Sequence, residues 1–423
     1  MDSSTITLLI LAFAVVMFIL EKIPLSLTAI MVSLSLTVFG VLTPTQAFAG
    51  FVNPSVILFA AMFVVGGAIF ETGMAVKIGG LVTRFAKTER QLLVSTMVVA
   101  GALSGVLSNT GSAAILIPII TGISLSAGFS PARLLMPMAF AVSLGGTMTL
   151  IGSPVNLIGQ AGLEQIGLSF GFFEFGMIGV PILVAGIVFF YLFGSKFLPT
   201  SQAAAQSATG GSIELANVPR WKRTMALLVL AATLAAMIFE EQIGIPLHVS
   251  GAIGAVILVL TRTITEKQAF GAIDMRVIFL FGGVLPLATA LEQSGAGAMV
   301  ANSVISLLGG YQASSFALMS AIFLLSVILT NFISNTATAA LLVPIAISIA
   351  TAMGSDPRAA VMSVVIGSSM AFATPVGTPP NAMVLSAGGY RFIDYVKAGL
   401  PLLIIVGIVS LVLLPVLFPF YQS

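Results

Sequence analysis

Apolar stretches long enough to cross a bilayer follow one another along nearly the whole chain of 423 residues. A transmembrane helix needs about 20 such residues. Only 7% of the residues are charged, whereas a soluble globular domain carries about 25%, so a soluble enzyme or soluble binding module is excluded. The sequence therefore predicts an all-α polytopic membrane protein. The apolar runs are residues 5–20, 25–43, 54–76, 93–124, 132–158, 170–195, 222–239, 247–262, 276–293, 314–352, 358–386 and 398–420.

Two of these runs, 93–124 and 314–352, are too long for one crossing, and a Ser-Asn-Thr triplet interrupts each of them, at 108–110 and 334–336. Irregular backbone at membrane depth is tolerated only inside protein or beside water. We therefore expect each run to form a re-entrant hairpin, in which two half-helices meet at a polar tip.

Two further runs are interrupted by glycine and proline, in the sequences IGSPVN at 151–156 and VGTPPN at 376–381. Proline has no backbone N–H and stops a helix. The sequence therefore predicts two broken helices, with their breaks near the midplane of the membrane.

The chain contains an internal duplication. The triplet at 108–110 recurs at 334–336, and the Gly, Pro and Asn of 152–156 recur at 377–381. Ile-Pro-Leu at 23–25 recurs at 245–247, and Gln-Ala-Phe at 46–48 recurs at 268–270. Ordered matches at a nearly constant offset are typical of a repeat. We expect a first repeat at 1–199, a polar cytoplasmic linker at 200–220 and a second repeat at 221–423.

The placement of basic residues predicts the topology. If each half has five full crossings and one hairpin, all 16 Lys and Arg residues except Arg358 fall on one side. The positive-inside rule makes that side cytoplasmic. The first hairpin, 93–124, then opens to the cytoplasm and the second, 314–352, to the outside. Both termini are extracytoplasmic, and the second half is inverted relative to the first in the cell (inner) membrane, as in many secondary transporters.

The polar interruptions suit small ions. Half-helix N-termini after Thr110 and Thr336 would carry free N–H groups and a positive dipole end, which favours an anion. Helix C-terminal carbonyls with Ser and Asn oxygens favour sodium. Ser104 and Thr330 stand four residues before each triplet, on the same helix face. One triplet alone more often packs or caps helices; two triplets, each with a downstream Gly-Ser/Thr-Pro break, favour a binding site.

The ionisable residues limit the chemistry. None of the 14 Asp and Glu residues falls near the middle of a predicted span. Proton-driven transport usually needs an ionisable group inside the membrane, so the sequence favours sodium coupling. The absence of cysteine and the single His248 exclude a thiolate or histidine-built metal centre. Glu71 and Glu292 are repeat mates near span ends, and their role stays open. No nucleic-acid partner is expected.

Four motifs carry a resemblance to a known family. They are SNTGSAAILIPI at 108–119, GGTMTLIGSPVN at 145–156, SNTATAALLVPIA at 334–346 and ATPVGTPPN at 373–381. In these motifs the chain resembles the divalent-anion:sodium symporter family, which includes sodium-coupled dicarboxylate, citrate and sulfate transporters. Through the duplication, the resemblance extends over nearly the whole chain.

The resemblance implies a homodimer in which a scaffold part holds the dimer contact and a transport part slides across the bilayer as an elevator. It also implies bound sodium ions, with no organic cofactor, and a small divalent anion as substrate. The implied sodium ligands are Ser104, Ser108, Asn109 and Gly152 at one site and Thr330, Asn335 and Gly377 at the other. The implied substrate contacts are Ser108, Asn109, Thr110, Ser153, Pro154, Ser334, Asn335, Thr336, Thr378 and Pro379.

Threonine at the third position of both triplets resembles the dicarboxylate branch more than the sulfate branch. The expected function is therefore sodium-coupled symport of a C4-dicarboxylate such as succinate or malate. The alternatives are a sulfate or citrate transporter of the same family, an antiporter or arsenite exporter of the same superfamily, and an ion channel. No enzyme is expected, because one histidine and no midplane acids cannot form a catalytic constellation. The sodium stoichiometry and the choice between symport and exchange stay open.

Overall fold

A computed structural model describes residues 2–79, 88–199, 218–307 and 314–420. The regular structure of these residues is helical, so the predicted all-α class is confirmed. Eight helices among the described residues are long and apolar enough to cross a membrane. The predicted linker at 200–220 lies outside the described residues from 200 to 217.

Ten α-helices are described in the first half, and a 3₁₀ helix, Ala49–Val52, joins the third to the fourth. The α-helices are Ser3–Leu20, Leu25–Val38, Pro44–Phe48, Pro54–Glu71, Met74–Gly79, Glu89–Ser104, Asn109–Ser126, Ala132–Gly145, Pro154–Glu164 and Glu174–Phe197.

Twelve α-helices are described in the second half. They are Arg220–Ile238, Glu240–Ile243, Leu247–Leu260, Glu266–Ala272, Met275–Val284, Pro286–Gln293, Ala296–Leu307, Ser315–Thr330, Asn335–Ala352, Pro357–Ser368, Pro379–Ala387 and Phe392–Leu417.

Helices end where the polar interruptions were predicted. We call the turns at 105–108 and 331–334 the first and second tips, because each joins two helices of one long apolar run. We call residues 146–153 and 369–378 the first and second breaks, because each separates two short helices. Serine or threonine stands immediately before the helix that follows each tip or break, where its oxygen can accept a free N–H.

Two helical features differ from the sequence prediction. The predicted span 276–293 bends into two helices at Pro286, which has no N–H to continue the ladder. The helix Ala296–Leu307 was not predicted, because its small and polar residues interrupt the apolar pattern on which the spans were based.

The same local structures occur in both halves. Thr43 and its repeat mate Thr265 each open a capping box with the glutamine three residues later. Gly73 and Gly295, which are related by the same offset, both adopt a positive φ, 71° and 74°. At these positions, residues that are related by the repeat offset have the same local conformation.

Helices from the two halves pack against each other in pairs. Leu25–Val38 packs on Met275–Val284, and Leu247–Leu260 packs on Pro54–Glu71. The hydroxyl of Ser33 donates across the first of these contacts to the carbonyl of Gly283, at 2.9 Å. We call these four helices the central group.

The helices that begin at the tips and breaks also pack across the halves. Pro379–Ala387 lies against Asn109–Ser126, and Pro154–Glu164 lies against Asn335–Ala352. We call these four helices the tip group. Each helix that follows a break therefore neighbours the tip helix of the opposite half.

Candidate functional site

The first tip places a polar triplet in the first turn of a helix. Helix Asn109–Ser126 begins inside the triplet, and the Ser108 hydroxyl accepts the N–H of Gly111 at 3.2 Å. The prediction that the helix would begin after Thr110 placed its start slightly too late, because Ser108 serves as the N-cap. The Thr110 side chain is exposed.

Ser104, which the sequence places one helical turn before the triplet, ends its helix and meets Asn109 across this tip. The Ser104 hydroxyl donates to Oδ1 of Asn109 at 2.6 Å. The first break also lies close to this amide. A Cβ atom added at Gly146 would be only 2.4 Å from Asn109 Oδ1. The hydroxyl of Thr149 in the break donates to the carbonyl of Gly105 at 2.5 Å. The first tip and the first break thus form one polar cluster.

The second tip repeats this arrangement. Helix Asn335–Ala352 begins at the second residue of its triplet, and the Ser334 hydroxyl accepts the N–H of Ala337 at 3.2 Å. The prediction of a start after Thr336 was therefore wrong for the same reason as at the first tip. Thr336 is partly exposed.

Thr330, Asn335 and Gly377 come into direct contact. The Thr330 hydroxyl donates to the carbonyl of Ser368 at 2.5 Å. Since its single hydrogen is used there, it accepts a hydrogen bond from the Asn335 amide nitrogen at 2.8 Å. The same nitrogen donates to the carbonyl of Gly377 at 2.9 Å and to that of Ser368 at 3.2 Å. Three oxygen atoms therefore surround this side-chain amide.

Each break is stabilised by its own buried asparagine. Asn156 donates its amide hydrogens to the carbonyls of Gly146 and Thr149, at 2.8 and 2.7 Å. Its repeat mate Asn381 donates to the two equivalent carbonyls, those of Ala371 and Thr374, at 2.6 and 3.1 Å. These bonds replace helical partners that the interrupted backbone lacks.

The remaining predicted contacts lie at the helix starts after the breaks. The hydroxyl of Ser153 accepts the N–H of Val155 at 3.4 Å, and Pro154 is the first residue of its helix. Thr378 is the buried N-cap of helix Pro379–Ala387, and its side chain makes no capping hydrogen bond. Pro379, the first residue of that helix, is exposed.

The electrostatic character of this region comes from backbone dipoles. Every predicted site residue is neutral, and four of the surrounding helices begin at or next to these residues. The N–H groups of a helix N-terminus attract anions, and the carbonyls and side-chain oxygens suit hard cations. Among the described residues, no group of three or more His, Cys, Asp or Glu residues is placed to hold a metal ion.

Two ligand-type groups were missed by the sequence reasoning. The carbonyl of Ser368, just before the second break, accepts from Thr330, just before the second tip. The side chain of Asn331 in the tip donates to the carbonyl of Met370 in the break. Asn331 accepts the N–H of Ala373 at 2.9 Å. A backbone carbonyl has no sequence signature, but Asn331 lies only four residues before Asn335 and could have been noticed as a further polar residue in an apolar run.

The two acidic repeat mates have different surroundings. The Glu71 carboxylate accepts from the side chain of Gln268 at 2.6 Å and thereby joins the two halves. Glu292 lines a cavity of about 250 Å³ that also contacts Gln165 and Ser348.

A third carboxylate, which the sequence reasoning did not select, connects the tip group to the central group. Both oxygens of Glu164 lie 3.0 Å from the hydroxyl of Ser55. Its helix, Pro154–Glu164, is not one of the candidate membrane spans. Burial raises the pKa of the Glu164 carboxyl, and hydrogen bonds from Ser55, Gln160 and Asn53 oppose that rise.

Comparison with known proteins identifies a family of transporters. A family model described as citrate transporter matches residues 15–367 and 318–422. The transporter YfbS of Escherichia coli is 25% identical over 97% of this chain and 98% of its own length. A transporter of Haemophilus influenzae is 29% identical over 93% and 87%. The sodium-dependent dicarboxylate transporter SdcS of Staphylococcus aureus is 25% identical over 80% and 72%.

Two solved structures resemble the chain along nearly its whole length. The YdaH transporter of Alcanivorax borkumensis superposes with a TM-score of 0.65 at 16% identity, covering 98% of this chain and all of that one. The MtrF protein of Neisseria gonorrhoeae superposes with a TM-score of 0.63 at 13% identity, covering 99% and 95%. At these identities, the likeness concerns the fold alone.

Proposed function

Since the chain belongs to the citrate transporter family, we propose that it is a sodium-coupled symporter of a divalent organic anion, a C4-dicarboxylate such as succinate or malate. The observation that carries this proposal is the second tip, where oxygens of Thr330, Gly377 and Ser368 converge on the amide of Asn335 beside a helix N-terminus. The name of the SdcS relative supports both sodium and dicarboxylate.

Sodium binding would use the oxygens around the Asn335 amide. Turning this amide by half a rotation exchanges its nitrogen and oxygen, so that Oδ1 joins the Thr330 hydroxyl and the carbonyls of Gly377 and Ser368. Four oxygens at one point form a coordination shell for a hard cation. The first site would use Ser104, Ser108, Asn109 and Gly152 in the same way.

The dianion would bind at the helix starts. Thr110 and Thr336 offer hydroxyls that are exposed or partly exposed, and the first turns of the two tip helices supply N–H groups. The helices after the breaks begin with proline, which has no N–H to offer. Because no predicted site residue is positively charged, the sodium ions provide the compensating charge. This requirement couples the two solutes: the anion binds well only after sodium.

In this proposal the protein consists of two inverted repeats with re-entrant hairpins. It lies in a cell membrane with both termini extracytoplasmic. The duplication is supported by features that recur in both halves: the capping boxes, the positive-φ glycines and the buried asparagines at the breaks. In this scheme the central group belongs to a scaffold that forms a homodimer, and the tip group belongs to a transport part that moves as an elevator.

The test is uptake of radiolabelled succinate into proteoliposomes under an inward sodium gradient, compared with choline in place of sodium. We expect saturable uptake that requires sodium and that unlabelled malate inhibits. Uptake of sulfate or citrate instead would keep the site and change the substrate. Absence of sodium-dependent uptake for all these anions would overturn the proposal and favour an exporter or antiporter.

A further inference from the structure

The contact between Glu164 and Ser55 connects the tip group to the central group. In the proposed function these two groups move relative to each other. Glu164 ends the tip-group helix Pro154–Glu164, which packs on helix Pro54–Glu71 of the central group. Ser55 is the second residue of that central helix, and Asn53 is its N-cap. The carboxylate therefore sits at the positive end of an 18-residue helix.

The Glu164 carboxylate also accepts a hydrogen bond from its own helix. Gln160, one turn earlier, donates to Glu164 Oε1 at 3.3 Å, while its own oxygen accepts the N–H of Phe170 at 2.8 Å. The neighbouring Gln165 donates across the same boundary to the carbonyl of Leu285, at 3.1 Å. Glu164 is thus oriented toward Ser55 and is not a freely rotating surface side chain.

The duplication has no counterpart of this contact. The alignment of the two breaks, which pairs Asn156 with Asn381, pairs Glu164 with Gly389, which has no side chain. Aligning the starts of helices Pro54–Glu71 and Met275–Val284 pairs Ser55 with Arg276. If inverted repeats exchange their conformations between the two end states, the opposite state would place Arg276 near Gly389, without a carboxylate to bind it.

We infer that Glu164 is a latch residue, which holds the tip group against the central group in one end state of the transport cycle and is released in the other. This inference rests on the proposed function, because only a moving transport part must break the contact. The latch biases the equilibrium between the end states without touching sodium or substrate.

The chain has no cysteine, so introduced thiols can report the latched state. Ile166, next to the tip-group helix, and Ala288, in the helix that continues the central group, line one cavity. The full-length protein carrying Ile166→Cys and Ala288→Cys is reconstituted and treated with a short thiol crosslinker. Glu164→Ala, Ser55→Ala and the double variant are compared in this background, with Glu21→Ala, an exposed glutamate at the end of the first helix, as the matched control.

We expect either single variant to lower the ratio of crosslinked to free protein by roughly tenfold, the effect of losing one hydrogen bond to a charged group. The double variant should lose no more than one single variant, since both remove the same interaction. Glu21→Ala should leave the ratio unchanged. An unchanged ratio in Ser55→Ala, or additive losses in the double variant, would overturn the latch.

The two proposals fail in different ways. If the parent protein shows no sodium-dependent uptake while the variants still lose crosslinking, the transport proposal fails and the latch contact stands. If uptake depends on sodium while crosslinking does not respond to either variant, the latch fails and the transport proposal stands.

Discussion

The side chains of Thr330 and Asn335 meet at 2.8 Å across the second tip, and those of Ser104 and Asn109 meet at 2.6 Å across the first. In both cases the hydroxyl belongs to the end of one helix and the amide to the first turn of the next. A tight turn between them thus brings two neutral polar groups together inside an apolar segment. Such groups are costly to bury without partners. Within each pair, the hydroxyl and the amide form a hydrogen bond and so provide part of each other's hydrogen bonding.

Replacing Asn335 with alanine should abolish sodium-dependent uptake, because the variant loses the amide that links Thr330, Gly377 and Ser368. Asn109→Ala should have the same effect at the first tip. The measurement is initial uptake in proteoliposomes, together with a thermal unfolding curve that shows the variants are folded. The control is Gln242→Ala, an exposed amide side chain on another helix, which should transport normally. Normal uptake by a folded double variant, Asn109→Ala with Asn335→Ala, would refute the site assignment.

Thr330→Val should weaken sodium binding while Thr330→Ser preserves it, because valine keeps the shape but has no oxygen. One lost bond between a charged ion and a hydroxyl corresponds to roughly a tenfold rise in the sodium concentration for half-maximal uptake. The quantity to measure is the sodium dependence of succinate uptake at a fixed succinate concentration. Equal sodium dependence in the valine and serine variants would show that the hydroxyl is structural only.

The tips and breaks could be predicted because polar residues inside apolar runs are visible in the sequence. Ser108 and Ser334 cap the helices that follow, and the predicted partners Thr330 and Asn335 do meet. The start of each tip helix was placed slightly too late, because a serine that serves as N-cap looks, in sequence, like any other residue of a polar loop.

Contacts between distant segments could not be predicted. The carbonyl of Ser368 contributes through its backbone, which no sequence pattern reveals. The pairing of Glu164 with Ser55 joins residues far apart in the chain, and it depends on which face of each helix meets its neighbour. The proline at 286 was visible in the sequence, but the division of the candidate span Met275–Gln293 into two helices there was not predicted.

Asn156→Leu and Asn381→Leu should destabilise the fold by similar amounts, because each asparagine bonds two buried backbone carbonyls at equivalent positions. Leaving these carbonyls without a donor costs on the order of 2–4 kcal/mol in the free energy of unfolding. Thermal unfolding in detergent, without substrate, gives the comparison. A large loss in one variant and none in the other would show that the two breaks are not stabilised in the same way.

Gly146→Ala should damage both folding and transport, because the added Cβ would lie 2.4 Å from Oδ1 of Asn109. Either the first break or the Asn109 amide must move, and such overpacking costs about 1–3 kcal/mol. The matched control is Gly122→Ala in the same helix as Asn109, where an added Cβ meets no atom within 4 Å and alanine favours the helix by about 0.5–1 kcal/mol. Thermal unfolding and sodium-dependent uptake are measured for both variants. Because both changes add one methyl group, a loss confined to Gly146→Ala assigns the effect to the contact between the break and Asn109, whereas equal losses would assign it to glycine replacement in general.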